Sequence, residues 1–202
     1  GQGSVNHNCR KFQAENVDGT RTHLNIDYCN ENIKRVYHEM FDEALEKYNA
    51  KQTRADRKIK DYYEKIRTSK QEKPFHEIIL QVGGKGNMNA DTENGELAKQ
   101  ILDEYYQGFQ ERNPQLRVFS AHLHMDEATP HLHIDFVPFT TGSKRGLDTR
   151  VSLKQALATQ GFKGGSRGDT EWSQWIQSEK EQLAAVMERY GIEWEHLGTH
   201  EK

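Results

Sequence analysis

The stretch "HLHMDEATPHLHID", residues 122–135, restricts the fold more than any other part of the chain. Four of the ten histidines and three acids fall within these fourteen residues. Both flanks alternate polar with apolar, the period of a half-buried strand. His122 and His124 share one face while Leu123 and Met125 point oppositely, and His131, His133 and Asp135 share a face opposite Leu132, Ile134 and Phe136. The five-residue "DEATP" between Met125 and His131 suits a hairpin loop, with Pro130 where a missing donor is tolerated. Such a hairpin needs a core against its aliphatic face and presents imidazoles on the other.

The remaining segments supply that core. "RTHLNIDYC" (21–29) alternates as a strand, and Asn30 is placed to cap a helix over 31–52. Ile33, Val36, Tyr37, Met40, Phe41, Ala44, Leu45 and Tyr48 recur there at helical spacing. A second helix is expected over 55–68, and after Pro74 comes the strand "FHEIILQVG". "GGKGNMNADTENG" reads as a loop. A helix over 96–112 follows, stopped by Asn113-Pro114, then "VFSAHLHMD" and "HLHIDFVPF" as strands. Region 142–168 reads as loop with a short helix near 153–159. Asp169 is placed to cap a helix to about residue 190, and "IEWEHL" reads as a closing strand. The expected fold class is α+β, one domain over 1–202, with an antiparallel sheet carrying helices on one face and the imidazoles on the other.

The net charge of −3 announces no nucleic-acid binder, but two local patches are basic. "KQTRADRKIK" holds Arg54, Arg57 and Lys58, and the Gly-rich segment 142–168 holds Lys144, Arg145, Arg150, Lys163 and Arg167. No run of about 18 apolar residues exists, so no membrane-spanning helix is expected. No secretion signal opens the chain, and Cys9 and Cys29 read as free thiols of a cytoplasmic protein.

Neutral imidazoles are good ligands for borderline divalent metals, whereas clustered imidazolium ions repel. Three histidines on one rigid hairpin leave coordination positions for water or substrate oxygens, as in catalytic sites. They also add no negative charge, so a bound dication keeps its Lewis acidity.

"HMDEATPHLH" resembles the signature of the Mob/Pre (MobV-type) plasmid mobilisation relaxases, a bacterial branch of the HUH endonucleases. "NHNCR" is similar to that family's first motif and "THLNIDY" to its second, so the resemblance spans about 6–139. It implies a metal-dependent enzyme that nicks one strand at a plasmid or mobile-element transfer origin, for conjugative mobilisation or plasmid recombination. The 5′-phosphate would stay on the protein. His124, His131 and His133 match the family's metal ligands, the ion expected being Mn2+ or Mg2+, with Zn2+, Ni2+ or Co2+ admissible in the site. His7 matches the histidine nucleophile of this branch. Tyr28 is the alternative, because most HUH enzymes use tyrosine. Glu127 matches an acid that orients a ligand or the nucleophile. Asp126, His122 and Asp135 are expected as outer groups, His122 either behind the ligands or facing DNA. Arg10 is expected on a phosphate, Asn25 on DNA or on site backbone, and the two basic patches on origin DNA, single-stranded or as a hairpin.

Only six residues precede His7, where the family usually has a strand, and many members continue into helical tails used for self-association. The chain is therefore expected to be the N-terminal catalytic part of a longer protein. The rival readings are a replication initiator of the same superfamily, a non-nucleolytic DNA-binding module, and another three-histidine metalloenzyme.

Overall fold

The computed structural model describes residues 2–11, 14–83 and 93–192. In chain order the elements are α1 (Gln2–Asn8), β1 (Ile26–Asn30), α2 (Ile33–Ala50), α3 (Tyr62–Arg67), β2 (His76–Gln81), α4 (Glu93–Gln107), α5 (Phe109–Arg112), β3 (Leu116–His124), β4 (His131–Thr140), β5 (Arg150–Val151), α6 (Leu153–Ala158) and α7 (Glu171–Arg189). One antiparallel sheet runs in the order β1-β3-β4-β2, and β5 pairs with the far end of β4. The α+β class expected from the alternation is the one observed, and the histidine hairpin is β3–β4.

Register explains the faces. His122 lies opposite His133, Leu123 opposite Leu132 and His124 opposite His131, so imidazoles gather on one side and leucines on the other. β2 adds Glu77 opposite Asp135 and Gln81 opposite His131 on the same side. The aliphatic side packs under α4, α5, α6 and α7 in a core that includes Leu123, Leu132, Ile134, Phe136, Leu102, Phe109 and Trp175. Burying such side chains contributes on the order of 2 kcal/mol each.

The histidine side is shared, which the sequence pattern did not indicate. A bulge at Val118/Ser120 in β3 turns Phe119 into a second core with Val137, Val36, Tyr37, Phe41 and Tyr62 from α2 and α3. This smaller helical layer covers the far end of the histidine face and leaves the hairpin end clear.

Several boundaries differ from expectation. Asn32, not Asn30, caps α2, because Asn30 remains paired with Ser120 in the sheet. The helix expected over 55–68 reduces to a 3-10 turn at Ala55–Arg57 and the short α3. Asn49 clamps the Ile59 backbone at both N–H (2.9 Å) and C=O (2.8 Å), and Asp61 then starts a new helix. The helix over 96–112 divides at Gly108, across which the Arg112 side chain reaches Glu179; a side chain at 108 would strike that guanidinium. Thr170, not Asp169, caps α7 through a reciprocal bond with Ser173. Residues 22–24 of the first expected strand form a 3-10 turn. The expected loop lies largely, and the "IEWEHL" strand almost wholly, outside the described residues. Cys9 and Cys29 are free thiols, as expected.

Candidate active site

α1 brings the "NHNCR" residues onto the clear end of the histidine face. It ends in two backbone bonds, Lys11 N–H to the Asn6 carbonyl and Arg10 N–H to the His7 carbonyl, both 2.9 Å, with Arg10 at φ 53°. That left-handed position ordinarily takes glycine, and an arginine there costs about 1 kcal/mol. The compensation is that the guanidinium turns back into the site. Its Nε and Nη2 donate to Asp126 at 3.0 and 2.6 Å, Nη2 also to Glu127 at 2.9 Å, and Nη1 lies 3.1 Å from both His7 Nε2 and the His7 carbonyl. Four of the five Arg10 N–H groups are engaged whichever tautomer His7 takes, and the fifth faces His7 Nε2. Arg10 was expected on a phosphate; here most of its donors fasten the hairpin loop to α1.

Asp126 is fully buried. Burial pushes its carboxyl up, but hydrogen bonds from Arg10 and from Thr22 (2.8 Å) outweigh this and hold it at about 2. Glu127 stands at the centre, with its carboxylate 3.5 Å from His7 Nε2, 3.6 Å from His124 Nδ1 and 3.9 Å from His131 Nδ1. Asn16 also donates to it at 3.1 Å. Burial raises its carboxyl, and Arg10 with the neighbouring histidines brings it net below the ordinary value.

Of the three expected ligand imidazoles, burial favours the neutral ring at His124 and His131. His124 is fully buried, and its Nε2 lies 2.9 Å from the Asn8 carbonyl at the end of α1. A carbonyl only accepts, so Nε2 carries the proton and Nδ1 keeps its lone pair. Burial, then His133, pushes His124 down to about 3, and burial also lowers His131. The Nδ1 atoms of His124, His131 and His133 are each buried without a hydrogen bond. Three orphaned lone-pair sites on one face have the chemistry of a ligand set and are costly otherwise.

The spacing is partly that of such a set. Two imidazoles on one ion, each nitrogen about 2.1 Å away, have ring centres roughly 4.6–5.3 Å apart. His124 and His133 stand at 4.7 Å, whereas His131 and His133 are 6.3 Å apart. Among the described residues no group of three is closed tightly enough to hold an ion as it stands. Moving His131 inward by about 1 Å, from the rim where it is 23% exposed, brings the rings to coordination spacing. The residues therefore fit a divalent ion, with a small rotation of the outermost ring.

His7 stands over this face, its ring 6.1 Å from that of His124 and edge-on to it, with the side chain 24% exposed. Burial and then the Arg10 charge lower its proton affinity, against the pull of Glu127, and favour the neutral ring.

Behind the ligands lie groups the sequence reading assigned loosely or missed. His122 has its Nδ1 2.6 Å from Asp27 and its Nε2 3.0 Å from Ser120 and 3.5 Å from Cys9. At 1% exposure it has no face for DNA, so that part of its expectation is corrected. Asp135 is fully buried opposite Glu77, and burial, then that neighbouring acid, push it up to about 9, so it sits as a carboxylic acid. Glu77 was missed: it lies 3.7 Å from His133 Nδ1 and accepts from Asn8 at 2.6 Å. Its alternation with Ile78 and Leu80 in "FHEIILQVG" is the signal that, with the strand pairing known, finds it. Asn25 accepts from Met125 N–H at 2.6 Å, which commits it to site backbone and corrects its grouping with DNA contacts.

Tyr28 is not in the site. It packs against the helical core on the opposite face, stacked on Tyr106 at 4.0 Å with its hydroxyl bonded to Asp103. Burial drives its hydroxyl far above the ordinary value. The alternative nucleophile is corrected on those grounds. The basic patches are exposed but not gathered round the histidines. Arg150 pairs opposite Thr140, nine residues and about 30 Å along β4 from His131, and bonds Ser143. Lys144 and Arg145 lie on the same distal loop, Lys163 and Arg167 precede α7, and Arg54 is paired with Asp56 beside Arg57 and Lys58.

A family model described as plasmid recombination enzyme (Mob_Pre) matches residues 4–163, which takes in α1, the hairpin and α6. Curated relatives called plasmid recombination enzyme type 3, from Staphylococcus aureus and Mammaliicoccus lentus, are each 27% identical over 160 residues, 77% of this chain and 34% of theirs. The chain thus spans about a third of the length of those relatives. Among solved structures, a MobM relaxase domain bound to plasmid oriT DNA, in a Mn-bound crystal at pH 5.5, aligns with TM-score 0.51 at 23% identity, covering 96% of this chain and 82% of that one. A second crystal of that domain, at pH 4.6, gives 0.52 at 21% identity, over 96% and 82% of the two chains. At these identities the match speaks for the fold.

Proposed function

The chain belongs to the Mob_Pre family of plasmid recombination enzymes, and from that premise we propose that it is a relaxase that nicks one DNA strand at a transfer origin with His7 as nucleophile. The observation that supports this most is the placement of a partly exposed His7 over a face bearing three buried, hydrogen-bond-free imidazole nitrogens.

His124, His131 and His133 would hold a divalent ion, which polarises phosphate oxygens when bound. Imidazole donors suit Mn2+ better than Mg2+, and the solved MobM domains are Mn-bound. The neutral His7 ring needs no prior deprotonation. Its lone pair forms the N–P bond, the P–O3′ bond breaks, and the imidazole N–H proton balances the departing 3′ oxygen. Glu127, 3.5 Å from His7 Nε2, is the carboxylate placed to carry that proton, and Arg10 keeps both groups in register. The product is a histidine phosphoramidate at the 5′ end and a free 3′-hydroxyl. Origin DNA, single-stranded or extruded as a hairpin, would enter past the His7–His131 rim, with the basic residues of 54–58 and 142–168 as outlying contacts.

The test is an origin oligonucleotide incubated with the protein and Mn2+, followed by intact-mass detection and mapping of the adduct. The expected result is an acid-labile adduct at His7, lost in His7→Ala and His131→Ala and kept in Tyr28→Phe. An adduct at Tyr28, or none with metal bound and the cognate origin supplied, refutes the assignment.

A further inference from the structure

The edge of β4 changes partner along its length. β2 pairs it as far as His76–Phe136, and β5 takes over at Phe139–Val151. In the gap, residues 71–73, the start of α6 and the first turn of α7 enclose a cavity of about 270 Å3. His76, Trp172, Lys73, Lys154 and Glu72 line it. It lies on the helical side of the sheet, because His76 alternates with Glu77 and so shares the face of Ile78 and Leu80. The nicking chemistry makes no use of it.

Two features equip this cavity for a planar, anionic ligand. His76 and Trp172 lie with ring centres 5.4 Å apart, and His76 is stacked over Phe136 at 6.1 Å, so a partly exposed aromatic stack borders the cavity. His76 Nε2 is buried without a hydrogen-bond partner. Burial, then Lys73, pushes the imidazole down to about 4, so the ring is neutral. At the rim Lys73 and Lys154 face Glu72 and Glu171, the latter 3.8 Å from Lys154, and Lys163 and Arg167 extend the cationic side just before α7.

An aromatic platform with flanking ammonium groups is the means by which proteins take up a single unpaired nucleotide. We infer that this cavity binds one nucleotide of the DNA strand, its base against Trp172 and His76 and its phosphate at Lys73 and Lys154. The inference rests on the reading of the chain as a DNA-nicking protein. β2 supplies the route: Gln81 lies beside His131, and His76 is five residues, about 17 Å, further along the same edge strand. A single strand rounding that edge connects the histidine face to the cavity. The outlying basic residues before α7 then guard a specific subsite rather than a diffuse patch.

The test uses the 202-residue chain loaded with Mn2+ for binding, and its Mg2+-loaded form for NMR. Deoxyadenosine monophosphate is titrated while the Trp172 indole N–H and His76 ring signals are followed. A labelled single-stranded dA12 is titrated by anisotropy. Saturable shifts at both residues are expected. Trp172→Ala is expected to weaken dA12 binding about 5- to 100-fold, Trp172→Phe far less. Should Trp172→Ala fail to fold, Lys73→Ala carries the test, with weaker binding and a shallower salt dependence expected. If dA12 binds while both signals stay fixed and Lys73→Ala binds like the parent, the cavity assignment is refuted and the nicking reading stands. If dA12 does not bind and the origin oligonucleotide gives no adduct, the nicking reading falls and takes the subsite with it.

Discussion

Replacing Asp126 with asparagine tests the join between α1 and the hairpin, on which the position of His7 depends. In the native protein this carboxylate accepts two bonds from Arg10 and one from Thr22 and is fully buried. Its pKa falls from the ordinary 3.8 to about 2, and each unit is worth about 1.4 kcal/mol, so ionisation of this one group stabilises the fold by about 2 kcal/mol at neutral pH. The asparagine also turns an amide N–H toward Arg10 donors, which brings the expected loss to about 2–4 kcal/mol. The pH dependence has a definite sign. A carboxyl depressed on folding contributes fully above its unfolded value and loses that contribution as pH falls through the folded one, here between about pH 4 and 2. By pH 3 roughly half of the ionisation contribution is gone, so the difference between parent and variant narrows by about 1 kcal/mol. Urea unfolding of both proteins in EDTA at pH 7 and pH 3 measures this. A variant as stable as the parent at pH 7, or a difference that does not change between the two pH values, refutes the account of Arg10 as a clamp.

Two further substitutions probe the acids that remain. Glu127→Gln removes the charge facing His124 and His131, and Mn2+ affinity by calorimetry is expected to fall about 10- to 100-fold, as when a group orienting metal ligands is lost; unchanged affinity excludes Glu127 from the centre. Asp135→Asn should act the opposite way from Asp126→Asn. Its carboxyl is raised by burial and by Glu77, so the parent loses stability as pH climbs from about 4 toward 9, and the asparagine variant should be the more stable at pH 8 with little difference near pH 4. Urea unfolding in EDTA decides it, and a variant weaker than the parent at pH 8 shows Asp135 to be ionised and paired.

What the sequence revealed follows from the reach of the rules used. Alternation with period two depends only on neighbouring residues, so the shared face of His124, His131 and His133 was legible, as was the leucine face opposite. Tyr28 was misjudged because motif proximity says nothing about which side of a strand a residue takes; the bulge after Asp27 leaves it among the helices. The break at residues 58–61 was hidden because the Asn49 clamp on Ile59 is a tertiary contact that overrides local helix preference. Arg10 was the hardest. Its partners are 116 and 117 residues away, and in isolation an arginine in a DNA-processing motif reads as a phosphate ligand.

That last point alters how the charge of the site is understood. Arg10 brings +1, and Asp126 and Glu127, both held ionised, bring −2, so this trio sums to −1 before Glu77 is counted. Burial favours the neutral ring at His7, His124 and His131. A phosphodiester approaching such a centre would meet net repulsion, and the Arg10 guanidinium is largely committed to the two acids. A dication held by His124, His131 and His133 would bring the sum of that trio to +1. On the proposed reading an anionic strand would be accepted only with the ion in place, and carboxylate ligands in place of histidines would cancel the gain.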